Sequence, residues 1–313
     1  MRNGNGVPDF APMFQHIGPL VQQADLAVCH LETPIAPTGE QWTTDPRYGV
    51  PGEVVDAIAA TGFDHCSTAS NDTFDRGLAG LQATIDRFVA AGVTQHGMAA
   101  VPADNEPILI DVAGVVIGHL SATYGFDVGF RPPDEPWRTS LIDAPRLIAD
   151  AQLARARGAD LVIASLHWGS SGSHQASEHQ RRIAVELAES GVIDLVVGHH
   201  AHVVQPIERI GNMWVAYGLG NLISNMPTGD PVWDDSTRDG IVLEVEVSRN
   251  PRTVASIGTI IAHPIWVDRD AGWVVRDVGA ARLDPELAAR IGAALDESWS
   301  RTASVVGAQM PAG

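Results

Sequence analysis

Three histidines crowd into Gly198-His199-His200-Ala201-His202, directly after the apolar run Leu195-Val196-Val197. Imidazoles at that density are costly to bury as a purely structural device, whereas the neutral ring is the commonest metal-ligating side chain. On an extended segment an H-x-H pair points to one side, so His200 and His202 are expected to converge on an ion while His199 faces away. His167, in Ser165-Leu166-His167-Trp168-Gly169, ends another apolar run one strand-helix unit earlier. If the two strands are sheet neighbours, His167 meets the pair at the same sheet edge.

Two weaker signals lie upstream. His30 and Glu32 alternate along one face of an apolar run, and a carboxylate buried at a strand end needs either a cation or a hydrogen-bond partner. A turn salt bridge or a helix cap is the plain alternative for Glu32. Ala69-Ser70-Asn71-Asp72-Thr73 precedes a helical pattern, and capping is its plain reading.

Short Val- and Ile-rich runs alternate with amphipathic stretches, the pattern of an α/β fold. Strands are predicted at 24–32, 159–167, 192–197, 214–217, 241–247 and 254–261. Helices are predicted at 77–91, 143–157, 177–190 and 285–299; Gly92 stops the first, and Ser177 with Gln180 forms a capping box for the third. The Pro-, Gly- and Asp-rich stretch 224–238 lacks periodicity and reads as a long loop, placed to cover a site. With no repeat and no low-complexity tract, the chain of 313 residues reads as one domain.

Composition removes several function classes. All 20 basic residues are arginine, which excludes a Schiff-base or P-loop lysine. A formal charge of -18 repels phosphate backbones and anionic lipid, so neither nucleic acid nor a membrane surface is an expected partner. Cys29 and Cys66 sit in apolar stretches and read as buried structural thiols. No apolar run is long enough to span a bilayer and the N-terminus lacks a signal-peptide core, so the chain is expected to be cytoplasmic.

Taken in order, His-Leu-Glu-Thr-Pro at 30–34, Ser-Asn-Asp-Thr-Phe-Asp-Arg-Gly at 70–77, His-Trp-Gly at 167–169, Gly-His-His-Ala-His at 198–202 and Tyr-Gly-Leu-Gly-Asn at 217–221 resemble the motifs of the CapA-like poly-γ-glutamate capsule-biosynthesis family. The resemblance covers about residues 10–225, leaving 240–313 to complete a second sheet and a C-terminal helix. That family looks like a branch of the calcineurin-like metallophosphatases, which implies a four-layer αββα sandwich of two mixed sheets with a metal centre at strand ends. Carried over by position, Glu32 matches the bridging carboxylate, Asn71 the amide ligand, and His167, His200 and His202 the imidazole ligands. Asn221, which ends the last motif, and His174 are possible additional site residues.

Two departures from the family pattern matter. Its first strand usually ends in a Gly-Asp whose aspartate binds metal; here the only Gly-Asp is Gly229-Asp230, far downstream. The ligand count therefore predicts one tight ion and a poor second one, with His30, where the family typically has asparagine, as a partial substitute. Second, Asp72 stands where the family has the histidine that resembles a leaving-group acid, with His174 and His179 as alternative proton donors. Mixed oxygen and nitrogen ligands suit manganese, iron, zinc or cobalt. The expected activity is hydrolysis of a phosphoester or a γ-glutamyl-type amide in a small-molecule or glutamyl-peptide substrate, with Asp72 and His202 as catalytic groups. The alternative is a non-catalytic accessory role in making a polyglutamate-like polymer.

Overall fold

The computed structural model describes residues 6–226, 228, 233–249 and 255–311, and its strands form three sheets. A parallel sheet holds β1 (Val28–His30), β2 (His65–Ser67) and β3 (Thr94–His96). The largest sheet is built from β4 (Ile108–Val112), β5 (Val115–Thr123), β6 (Leu161–His167), β7 (Leu195–His199), β8 (Ile207–Ile210) and β9 (Met213–Ala216), in the order β4-β5-β6-β7-β9-β8. Its four inner strands run parallel and its two edges pair antiparallel. The third sheet is antiparallel: β10 (Asp239–Ser248), β11 (Ser256–Asp268) and β12 (Val274–Asp277).

The helices that cover these sheets are α1 (Glu53–Thr61), α2 (Gly77–Ala91), α3 (Ala144–Ala156), α4 (Glu178–Ser190), α5 (Val278–Leu283) and α6 (Pro285–Val306). The predicted capping box opens α4, and Gly92 and Gly191 close α2 and α4 in the left-handed conformation that glycine takes without strain.

Strand alternation sorts side chains into layers. Leu120, Val162, Leu166, Val196 and Val215 pack against α3 and α4 on one side of the large sheet. On its other side Leu195, Ile207 and Ala216 meet Ile241, Ile260 and Ala262 of β10 and β11. The small sheets are in turn covered by α1 and α2, through Val55, Ile58 and Phe88, and by α5 and α6, through Val278 and Leu295. The result is the four-layer αββα arrangement, with each buried Leu, Ile or Val contributing roughly 1.5–3 kcal/mol.

One half of the sheet-to-sheet interface is not apolar. Between the parallel sheet and β5–β6 it is lined with imidazoles and hydroxyls. His65 Nε2 lies 3.0 Å from His119 Nδ1, whose Nε2 lies 2.9 Å from Ser165 Oγ. His65 Nδ1 reaches Thr94 Oγ1 at 2.8 Å, and His96 Nε2 reaches the Glu106 carbonyl at 3.0 Å. Burial pushes the His65 ring down to about 3 and His96 to about 4, and holds His119 well below the usual range.

Several expectations are corrected. Glu32 lies two residues past a strand of only three residues, not at the end of 24–32; the strand starts late, with Asp64 Oδ2 taking the Ala27 N–H at 2.8 Å just before it. Strands β3, β4, β5, β8 and β12 and helices α1 and α5 were not predicted, and β2 is the apolar stretch around Cys66; β11 runs to Asp268 and α6 to Val306, past their expected ends, and Val254 lies outside the described residues. The cysteines are not free thiols: β1 and β2 pair in a register that sets Cys29 opposite Cys66, Cα atoms 4.4 Å apart, and a disulfide joins them on the helix-facing side. A sequence separation of 37 gives no hint of that register.

Two outcomes are expected. Thiol titration of the unreduced, denatured protein should find no free thiol, and reduction should lower stability by up to about 4 kcal/mol, the loop-closure value for a cross-link of this span; two titratable thiols would contradict the pairing. For His96, the unfolded ring takes up a proton near 6.5 whereas the folded ring resists until about 4, so its contribution to stability is complete above 6.5 and declines as pH falls. His96→Gln should therefore flatten the pH dependence of stability between 6.5 and 4 by about 1.4 kcal/mol per pH unit, measured by urea unfolding; an unchanged slope would show that the ring is protonated in the native state.

Candidate metal centre

Glu32 is tied to the loop after β2 by Ser70, whose hydroxyl donates to the Glu32 carbonyl at 2.5 Å. Glu32 Oε1 lies 3.6 Å from His167 Nε2 and 3.7 Å from His202 Nε2. From the same loop, Asn71 Nδ2 donates to Asp72 Oδ1 at 2.8 Å and to Asp127 Oδ2 at 3.0 Å. Those two bonds turn Asn71 Oδ1 inward, 2.5 Å from His167 Nε2.

The imidazoles are held from behind. His167 Nδ1 faces His30 Nε2 at 3.0 Å, and His30 Nδ1 faces Ser67 Oγ at 2.8 Å, so His30 spends both nitrogens orienting its neighbour and offers none to an ion. Asn221 Nδ2 donates to the carbonyls of His202 (3.1 Å) and Thr237 (2.9 Å), which leaves its Oδ1 as the acceptor 3.1 Å from His202 Nδ1. The proton of His202 therefore sits on Nδ1 and the Nε2 lone pair is bare. His200 places Nε2 3.3 Å from Ser171 Oγ, while its Nδ1 is buried with no partner. Ligand atoms of Glu32, His167 and His200 all lie within 4.8 Å of one another. An orphaned imidazole nitrogen, bare lone pairs and one carboxylate fit a divalent transition metal.

The electrostatics point the same way. Burial holds His167 and His30 well below the usual range and brings His200 to about 4, so these rings stay in the neutral form that binds metal. Burial, then Asp127 and Asp75, raises Glu32 to about 7; burial, then Glu32 and Asp75, raises Asp72 to about 8. Among the described residues no arginine forms an ion pair with Glu32, Asp72, Asp75 or Asp127; the Tyr48 N–H and the charge of Arg47 ease Asp75 alone, so a proton or a cation would relieve the repulsion at Glu32 and Asp72.

His167 and His199 are partners in the β6–β7 register, as a shared sheet edge requires. The reason His200 and His202 converge differs from the expected one. Strand β7 stops at His199, and His200 (φ 82°) and His202 (φ 59°) turn through left-handed backbone, which brings their rings to 5.9 Å. His199 does not face away: its ring stacks on His30 at 4.0 Å, buried, with Nε2 unpartnered. Gly198 is dictated by contact, since a Cβ there would fall 1.8 Å from the Tyr217 carbonyl oxygen that accepts the Trp168 indole N–H.

The remaining candidates lie elsewhere. His174 Nδ1 bonds the Val204 carbonyl at 2.7 Å, and His179 is exposed beside Arg182. Gly229 and Asp230 lie outside the described residues. Sequence reasoning missed Asp127 and Tyr124, which follow β5: Asp127 holds Asn71 and accepts the Tyr124 hydroxyl at 2.8 Å, and the Tyr124 ring lies 4.7 Å from that of His200. Their signal was a position just past a strand end on the edge that also carries His167.

His167→Ala and His200→Ala should each lower metal content measured by elemental analysis; full occupancy in both would remove them from the centre. Asn221→Ala should weaken divalent-metal affinity about 10- to 100-fold by freeing the His202 ring, with circular dichroism unchanged; unaltered affinity would show that His202 needs no such support.

The family described as bacterial capsule synthesis protein PGA_cap matches residues 2–226. The PGA biosynthesis protein CapA of Bacillus subtilis is 25% identical over 242 residues, which cover 76% of this chain and 62% of that protein. A probable polyglutamine synthesis accessory protein of Mycobacterium tuberculosis is 30% identical over 213 residues, covering 64% and 56%. The chain thus spans about three-fifths of the length of these relatives. Among solved structures, the calcineurin-like phosphoesterase YfkN of Bacillus subtilis aligns over 80% of this chain and 74% of its own, at 15% identity and a TM-score of 0.43. With its match running through every motif from Glu32 to Asn221, this chain belongs to the PGA_cap family of bacterial capsule synthesis proteins.

Proposed function

We propose that the chain is a metal-dependent hydrolase acting on a phosphoester or a γ-glutamyl-type amide. The observation that carries this reading is the convergence of the His167 and His202 Nε2 atoms on Glu32 Oε1 and of Asn71 Oδ1 on His167 Nε2, beside a carboxyl group, Asp72, whose surroundings favour its protonated form. The donor set suits manganese, iron, zinc or cobalt, held tightly at one position by Glu32, Asn71, His167 and His200 and weakly at a second that keeps His202. When bound, such an ion supplies Lewis acidity towards a substrate oxygen.

The chain's own groups do the rest. Asn71 and Glu32 fix the donor positions through Asp127 and Ser70. Asp72, hydrogen-bonded to Asn71, is placed to deliver a proton to a departing oxygen or nitrogen. His202 keeps 19% of its side chain exposed, and the Trp233 ring stands edge-on to it with ring centroids 6.1 Å apart. A γ-glutamyl substrate draws support from relatives named for PGA biosynthesis. A second reading, a non-catalytic accessory role, draws support from Asp72 in the place of the family's histidine and from relatives named as accessory proteins.

Phosphoester and γ-glutamyl model substrates, assayed with added manganese, test the proposal: turnover that disappears on metal removal supports hydrolysis, and inert metal-loaded protein favours the accessory reading. If Asp72 is the acid, Asp72→Asn should slow a poor leaving group by about 100-fold or more and an activated one little, and Asp72→His should restore the poor one selectively. Equal effects on both would show that residue 72 donates no proton.

A further inference from the structure

Among the described residues, four buried N–H donors without a partner gather at one end of the β10-β11-β12 sheet. They are Arg238 Nη2, Arg269 Nε and Nη2, and Trp273 Nε1. Register places them together: Arg238 immediately precedes β10 and donates its Nε–H to the Val267 carbonyl at 3.0 Å, Arg269 immediately follows β11, and Trp273 immediately precedes β12. The Arg238 guanidinium carbon lies 4.0 Å from the centre of the Trp266 ring, a cation–π contact that helps hold it in place. Trp273 holds a left-handed backbone, φ 60°, which a bulky residue keeps only where the surroundings enforce it.

Nearby carboxylates do not satisfy these donors. Asp268 holds Arg276 and Arg290, Asp239 holds Arg301, and Asp234 holds the Ser236 hydroxyl and N–H. Asp235 attracts Arg269 but forms no ion pair with it among the described residues. Two guanidinium groups that repel each other, partly desolvated and short of acceptors, are a costly arrangement unless something else supplies the acceptors. Planar N–H forks match the oxygens of a carboxylate or a phosphate, and an indole N–H adds a third direction.

We propose that Arg238, Arg269 and the Trp273 indole form an oxyanion-binding site, for a carboxylate or a phosphate group, next to the segment that positions His202. The link to the metal centre is short: Thr237, the residue before Arg238, gives its carbonyl to the same Asn221 amide that orients His202. Although aspartates flank the place, their oxygens are turned to Arg276, Arg290, Arg301 and Ser236, so the unused N–H groups suit one acidic group of a ligand.

The test is the thermal stability of the full chain, metal-loaded and after divalent ions are dialysed away, titrated with L-glutamate or inorganic phosphate against chloride at equal ionic strength. At least one oxyanion is expected to raise the melting temperature in both forms, and the preferred anion distinguishes a carboxylate ligand from a phosphate one. Arg269→Met should be as stable as the parent in chloride, because it removes an unpartnered charge, and should weaken oxyanion affinity at least tenfold. Trp273→Phe, which removes only the N–H, should weaken it a few-fold. The site is refuted if neither anion stabilises the parent beyond chloride, or if Arg269→Met retains the full effect. Because the readout needs no turnover and persists without metal, its failure is separable from failure of the hydrolase proposal.

Discussion

A buried imidazole has to stay neutral and has to find partners for two ring nitrogens, and this requirement organises the interior between the two sheets. The inward positions of β1, β2, β3, β5 and β6 carry histidine, serine and threonine where a sandwich of this kind would otherwise carry branched aliphatics. His30, His65 and His119 are satisfied by inward neighbours from the facing or adjacent strand, as in His30–Ser67, His65–His119 and His119–Ser165, whereas His96 and His199 each keep one nitrogen unpartnered. Low dielectric strengthens such bonds and raises the cost of breaking any one, so the seam specifies strand register more sharply than an aliphatic interface does. The metal centre is the open end of that seam. There the partners run out, and His200 Nδ1 and the bare Nε2 of His202 are left for an ion to use.

The carboxylates impose the complementary demand. Glu32, Asp72, Asp75 and Asp127 share one neighbourhood, and burial together with the neighbouring carboxylates raises the proton affinity of Glu32, Asp72 and Asp75. Asn71 mediates between the two populations. Its amide donates to two of the carboxylates and presents its oxygen to the imidazoles, so one side chain fixes the boundary between the acidic pocket and the neutral donors.

Much of this was legible in the sequence, and the parts that were not have physical reasons. Glu32, Asn71, His167, His200 and His202 do come together, and the β6–β7 adjacency that joins them follows from a strand-helix-strand unit read directly from hydrophobic period. Strand β3 escaped because its three residues, Thr-Gln-His, look polar, and β2, His-Cys-Ser, showed only as the apolar stretch around Cys66; an inward histidine in each was the signal they share. The disulfide depended on a register that pairs residues 37 apart, which local pattern cannot encode. His200 and His202 converge through left-handed backbone, a conformation usually signalled by glycine and here adopted by histidine.

That backbone carries a further implication. Among the described residues, left-handed conformation at a non-glycine position occurs at Ala113, His200, His202 and Trp273. Ala113 belongs to the tight β4–β5 turn, where such a conformation is ordinary. The other three each hold a ring nitrogen: two at the metal centre, one at the Arg238–Arg269 cluster. Strain of this sort persists only where the surroundings determine the conformation, and it aims a side chain in a direction the relaxed backbone does not offer. The segment from Leu219 to Asp239 touches both places, since Asn221 grips His202 and Thr237 while Gly220 pairs with Gly240 at the start of β10. One amide, that of Asn221, thus bonds the carbonyls of both His202 and Thr237, the residue before Arg238, so the same side chain fixes the approach to the metal centre and the start of the strand that carries the arginine.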